Sequence, residues 1–212
     1  MKLRLPIVVV LLLVGLSRAD EQLTVEQEAE ILSASAAAEL APSLAASLSA
    51  LSAMPGTSPA DDMIYVRPRI DLILTDVTKQ WGRHTEQHTW LQMATQRVND
   101  CQLPDTLPAV IAARKELSVM ALLVDHAEWA LLIAQWEYER ASSFWLSADL
   151  FFSGLAYMTG VPNNAVGYDC LNEAVNHAVE GVTAVSRATS KLNAATIAAQ
   201  RANAIIEYLE SL

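Results

Sequence analysis

The chain has 212 residues, 14 basic and 24 acidic, for a formal net charge of −10; 52% of it is hydrophobic and 18% charged. That apolar content excludes a disordered chain, and two cysteines exclude a disulfide-dense mini-scaffold. The acidic balance repels phosphate backbones and argues against nucleic-acid binding.

Residues 1–19 read as a secretory signal peptide. Lys2 and Arg4 form a basic start, Leu5 to Leu16 an apolar run, and Ser17-Arg18-Ala19 places small residues at −3 and −1, so cleavage falls before Asp20. The apolar run is shorter than the ~20 residues that cross a bilayer. Losing Lys2, Arg4 and Arg18 leaves 11 basic against 24 acidic groups, net −13. The expected destination is extracytoplasmic, periplasmic or secreted, with no integral membrane span after cleavage and with disulfides permitted.

No useful stretch of the remaining chain alternates with period two. Segments rich in Ala, Leu, Glu and Gln dominate, and breakers cluster at 55–60, 102–108 and 160–168. The expected class is all-α, a long-helix antiparallel bundle of four to five helices with Ala-rich close packing. Residues 20–60 form an Ala/Ser-rich N-terminal helix and residues 61–212 the bundle.

The first helix opens at Thr24, where Thr-Val-Glu-Gln27 has capping-box spacing. Leu40, Leu44, Leu48 and Leu51 keep to one helix face, and Pro42 is expected to kink or interrupt the helix. Between Ile31 and Ala60 the only charge is Glu39. The small residues suit a closely packed bundle helix; a segment that pairs with another chain is the alternative.

The second helix is expected over Asp61–Asn99, with Pro68 as its start or a bend. The third carries Pro108 in its first turn and ends at Gly160 and Pro162. Trp129, Trp136, Trp145, Phe151 and Phe152 fall in this helix and could line an apolar groove for a ligand or a partner's helix. The run Ala141–Pro162 has Asp149 as its only charge; its length would span a membrane, but Asp149 and the serines suit an inner bundle helix.

The fourth helix, from Asp169 to Leu209, has the most specific pattern. With Leu171, Ala178, Val185, Leu192, Ala199 and Ile206 at position a, position d is Ala174, Gly181, Ala188, Ala195 and Ala202. Such a coiled-coil-like column lets a neighbouring helix approach closely.

Cys101 and Cys170 are expected to form a disulfide. They flank the third helix, so pairing requires that helix to fold back, best at Ala141-Ser142-Ser143.

His84 and His88, spaced i, i+4, could hold a transition metal. Glu173 and His177 have the same spacing and read as an exposed ion pair, while Asp125 and His126 sit in an apolar stretch that demands a hydrogen-bonded pair. There is no serine elbow, P-loop, dinucleotide fingerprint, zincin motif or haem site, so neither enzyme nor cofactor is expected.

Gln22-Leu-Thr-Val-Glu-Gln27 resembles the Leu-Thr-x-x-Gln stretches of periplasmic helical chaperones, over six residues only. The features together point to an exported, non-enzymatic bundle that works through protein–protein contacts or self-association, as component or chaperone of an envelope or surface assembly. The alternative is an extracytoplasmic binding module for a transition metal or an apolar ligand.

Overall fold

The computed structural model describes residues 23–155 and 160–212. The expected signal sequence and its expected cleavage point lie outside them. Four long helices make up the fold: α1 Val25–Ser52, α2 Pro59–Asp100, α3 Pro108–Phe152 and α4 Asn164–Leu209. There is no strand among the described residues, and the protein is an all-α helical bundle.

Local chemistry sets the helix ends. Thr24 N–H donates to Gln27 Oε1 at 2.8 Å and Gln27 N–H to Thr24 Oγ1 at 3.2 Å, a reciprocal capping box that starts α1. Ser58 caps α2, accepting from Asp61 N–H at 3.2 Å and donating to Asp61 Oδ2 at 2.6 Å. Asn163 caps α4 through Val166 N–H at 3.3 Å, six residues before the expected cap at Asp169.

Pro42 lies within α1 and does not interrupt it, and Pro68 lies within α2. Both prolines are exposed, as are Ala38 and Ile64 four residues before them. The carbonyls that lose a helical partner therefore face water, which lowers the cost of each proline.

α3 ends earlier than expected. Leu155 N–H donates to Leu150 O at 2.9 Å and Gly154 N–H to Phe151 O at 3.2 Å, with Gly154 at φ 74°. This Schellman pair stops the helix before Gly160 and Pro162 can. At Ala141-Ser142-Ser143, by contrast, α3 runs on unbroken. Ala141 is fully buried, and the helix there contains neither glycine nor proline. The fold-back that a disulfide required is absent, and Cys101 and Cys170 are free thiols. Cys101 Sγ donates to Arg97 O at 3.3 Å, and Cys170 packs on apolar side chains that hold its thiol pKa up.

Every helix contributes to two compact units. The first gathers residues up to Ala36, Thr85–Asp125 and Lys191–Leu212; the second gathers Ala37–His84 and His126–Ser190. The first unit packs Ala29 and Leu32 of α1 with Val119, Met120 and Leu123 of α3 and Ala194, Ala195 and Ala198 of α4. Arg97 joins α2 to α4 there through Glu210, at 2.8 Å to each carboxylate oxygen. The second unit packs Val66, Ile70 and Ile73 of α2 with Ala134, Ala141 and Ala148 of α3 and Leu171, Ala174 and Ala178 of α4. Its deepest polar tie is Asp62, 1% exposed, which accepts from Gly56 N–H at 2.8 Å and Tyr168 Oη–H at 3.3 Å.

Candidate functional site

In its second-unit portion α3 inverts the usual arrangement of small and large residues. The side chains facing inward are Ala127, Ala130, Leu131 and Ala134, all buried. Those facing outward are Trp129, Leu132, Ile133 and Trp136, exposed by 69%, 46%, 45% and 52%. Their i, i+3, i+4, i+7 spacing aligns them on one face. Inward alanines allow close contact with Ala188 of α4, which packs with Ala130 and Leu131. The bulky residues gain nothing from that core. The four side chains form an exposed apolar stripe along α3.

The remaining aromatics of the expected groove do not join this stripe. Trp145 is half-buried and donates from Nε1 to Met63 O at 3.1 Å. Phe152 packs edge-on against Tyr168, ring centroids 5.1 Å apart, and Phe151 is half-buried. Trp129 and Trp136 lie on a convex helix surface, so the five side chains line no common groove. An open groove of about 320 Å³ occurs elsewhere, in the first unit, where Leu91, Thr95 and Val98 of α2 face Arg114, Leu117 and Ser118 of α3.

A polar cluster borders the stripe. Glu137 is 8% exposed and its Oε2 lies 2.6 Å from His177 Nδ1 of α4. Arg140 Nε donates to His177 Nε2 at 3.2 Å, and its guanidinium carbon sits 4.7 Å from the Trp136 ring centroid. Since guanidinium only donates, Nε2 is the acceptor and the ring proton resides on Nδ1, directed at Glu137. Phe144 stacks on the imidazole at 5.4 Å. Both ring nitrogens are thereby engaged, which suits an orienting role for Arg140 and Trp136. His177 does not form the expected exposed pair with Glu173: it is turned into the bundle, where a buried carboxylate is a better partner than an exposed one.

The other polar candidates separate. His84 is buried, edge-on to Trp81 at 5.3 Å and 4.0 Å from Glu128, whereas His88 is exposed. Among the described residues no group of three His, Cys, Asp or Glu could hold a metal ion. The expected Asp125–His126 core pair is corrected too: both side chains are exposed, because the register of α3 turns Val124 and Ala127 inward instead. Ala174, Ala188, Ala195 and Ala202 of α4 are fully buried. Gly181 is buried as well, and a Cβ there would meet two Ile73 carbons at 3.3 Å.

A second ionisable cluster sits in the first unit. Glu28 of α1 pairs with Lys115 of α3 and Arg201 of α4, each at 2.9 Å. Glu116 lies 3.9 Å from Arg201, and its Oε2 is buried without a hydrogen-bond partner among the described residues. Burial, with the Glu28 carboxylate nearby, pushes the Glu116 pKa up to about 7 against the pull of Arg201 and Lys115.

Sequence reasoning placed Trp129 and Trp136 together but missed that they face outward. The signal was present in Ala127, Ala130 and Ala134, which interleave with the tryptophans and mark the opposite face as the closely packed one.

α1 and α3 are long and apolar enough to cross a membrane; the qualifying window of α3 is half buried within the protein and that of α1 17% buried. No protein-family model, curated protein or solved structure matches the chain.

Proposed function

We propose that this is an exported, non-enzymatic helical-bundle protein that acts through protein–protein contacts on the outer face of α3, as a component or chaperone of an envelope or surface assembly. The observation that carries the reading is the Trp129, Leu132, Ile133, Trp136 stripe, four large apolar side chains at or above 45% exposure on one face. Export is supported by the basic, apolar and small-residue sequence of residues 1–19. That α3 is a packed helix rather than a membrane span is supported by its most apolar segment, half of which is buried inside the bundle. A contact role is further supported by His177, whose two ring nitrogens are occupied by Glu137 and Arg140 and offer none to a substrate.

Photo-crosslinking from position 133 in producing cells tests the proposal, with exposed Gln96 as control. Discrete protein adducts from 133 and none from 96 are expected. Lipid adducts alone, or no adduct from 133, would contradict it.

A further inference from the structure

We infer that Glu28, Lys115, Glu116 and Arg201 form a pH-sensitive latch that holds the start of α1 on α3 and α4 and releases it when Glu116 ionises. All four lie in the first unit, and the latch makes no use of the exposed tryptophans. Glu116 precedes Val119 and Met120 by one turn of α3, Arg201 follows Ala198 by one turn of α4, and Glu28 stands beside Ala29 in α1. The cluster therefore closes their shared core at the end where α1 begins. Glu28 engages both cations: Lys115 Nζ and Arg201 Nη1 each lie 2.9 Å from one of its oxygens. Glu116 is left with Arg201 Nη1 at 3.9 Å, too far for a hydrogen bond, and with a buried Oε2 that has no partner among the described residues. That setting tolerates a neutral carboxyl. An anion there is desolvated, faces a second carboxylate and lacks a direct donor.

The start of α1 is the element that gives way. Its buried apolar anchors in this unit are Ala29, Leu32 and Ala36, with one large side chain among them, whereas α3 and α4 also pack with α2. Opening there sacrifices few buried contacts. It lets water reach Glu116, whose pKa then returns from about 7 toward the ordinary 4.5. The docked state thus binds the proton more tightly than the released one, and release is favoured as pH rises through about 7. Among the described residues the charges acting on Glu116 are those of Glu28, Arg201 and Lys115. Glu30 of α1 acts instead on Lys191, further along α4. From α2 this core receives Trp90 and Leu91, while the nearby Glu86 and His88 are exposed.

Hydrogen exchange of the purified chain, read by mass spectrometry over residues 28–36 between about pH 5.5 and pH 8 and corrected for the intrinsic rate, tests the latch. In the wild type the opening constant of this segment is expected to rise about tenfold with pH, while residues 196–203 of α4 keep their protection. Glu116→Gln, which holds the neutral shape at every pH, should reduce the rise to less than about twofold. Glu28→Gln frees Lys115 and Arg201 for Glu116, so its rise should be centred at lower pH than that of the wild type. A flat wild-type profile, an undiminished rise in Glu116→Gln, or a Glu28→Gln profile centred with the wild type would each overturn the inference. So would an equal rise in α4, because the whole unit would then be loosening and α1 would not be released alone.

Discussion

Glu137 Oε2 and His177 Nδ1 lie 2.6 Å apart, joining α3 to α4 directly beneath the exposed tryptophan face. The bond ties α3 to α4 with Glu137 buried, while Trp136 beside it and Arg140 one turn on are exposed. It also commits a buried carboxylate to a single strong partner.

Removing that partner should therefore be costly. His177→Ala leaves Glu137 desolvated and unpaired, a loss of about 2 kcal/mol or more, or roughly 4–8 °C in Tm for a chain of this size. Thermal unfolding followed by circular dichroism checks it. An unchanged Tm would show that the pair contributes nothing to the bundle.

The cluster around Glu116 gives a pH dependence of definite sign. Its pKa is raised from an ordinary 4.5 to about 7, so the folded protein holds a proton that the unfolded chain releases. The stability from this group is present below pH 4.5 and is lost as pH rises through about 7. Glu116→Gln keeps the neutral form at all pH values. Its stability advantage over wild type should grow between about pH 5 and pH 8, reaching about 1–2 kcal/mol once solvent screening is allowed for, or several degrees in Tm. A difference in Tm that is flat with pH would contradict the assignment.

Packing along α4 predicts a position-specific cost. Ala188 is fully buried against Ala130 and Leu131, so Ala188→Leu overpacks the contact by about 1–3 kcal/mol, or several degrees in Tm. Asn176→Leu, at an exposed position of the same helix, should be nearly neutral. Equal effects at the two positions would mean that the alanine column is not where α3 and α4 meet.

Gly154 closes α3 at φ 74°, where a Cβ would lie 2.6 Å from the backbone carbon of Gly160 and 2.7 Å from Val161 N. Gly154→Ala adds backbone strain to a clash with main chain that no rotamer relieves, at about 2 kcal/mol or more. Gly56→Ala, at φ 65° but with open space around its Cβ, should cost only the strain, about 1 kcal/mol. The two melting temperatures separate strain from collision.

The fold was legible because its signals are local. Thr24 and Gln27 cap α1 as their spacing implies, and the breakers near Pro55 and Pro104 fall between helices. The failures were tertiary. Ser142 and Ser143 were expected to form a hinge because the disulfide expected of an exported chain with two cysteines required one, but nothing in a serine pair between Ala141 and Phe144 breaks a helix whose inner face is buried. His177 has an acid one turn away at Glu173, yet it pairs with Glu137, 40 residues distant, which spacing within one helix cannot reveal. The outward tryptophans escaped detection because hydrophobicity alone assigns them inward. Only the rotation of α3, with Glu137 and the small residues at 127, 130 and 134 buried, turns them to solvent.

The contact role of α3 is tested most directly by hydroxyl-radical footprinting of the five tryptophans, read by mass spectrometry. The dilute purified chain is compared with the same chain in the compartment of producing cells. Trp129 and Trp136 should be the most oxidised in isolation and become protected in the cell, while half-buried Trp81, Trp90 and Trp145 change little. Equal oxidation of Trp129 and Trp136 in the two settings would contradict the account, because a face that stays open in the cell holds no partner.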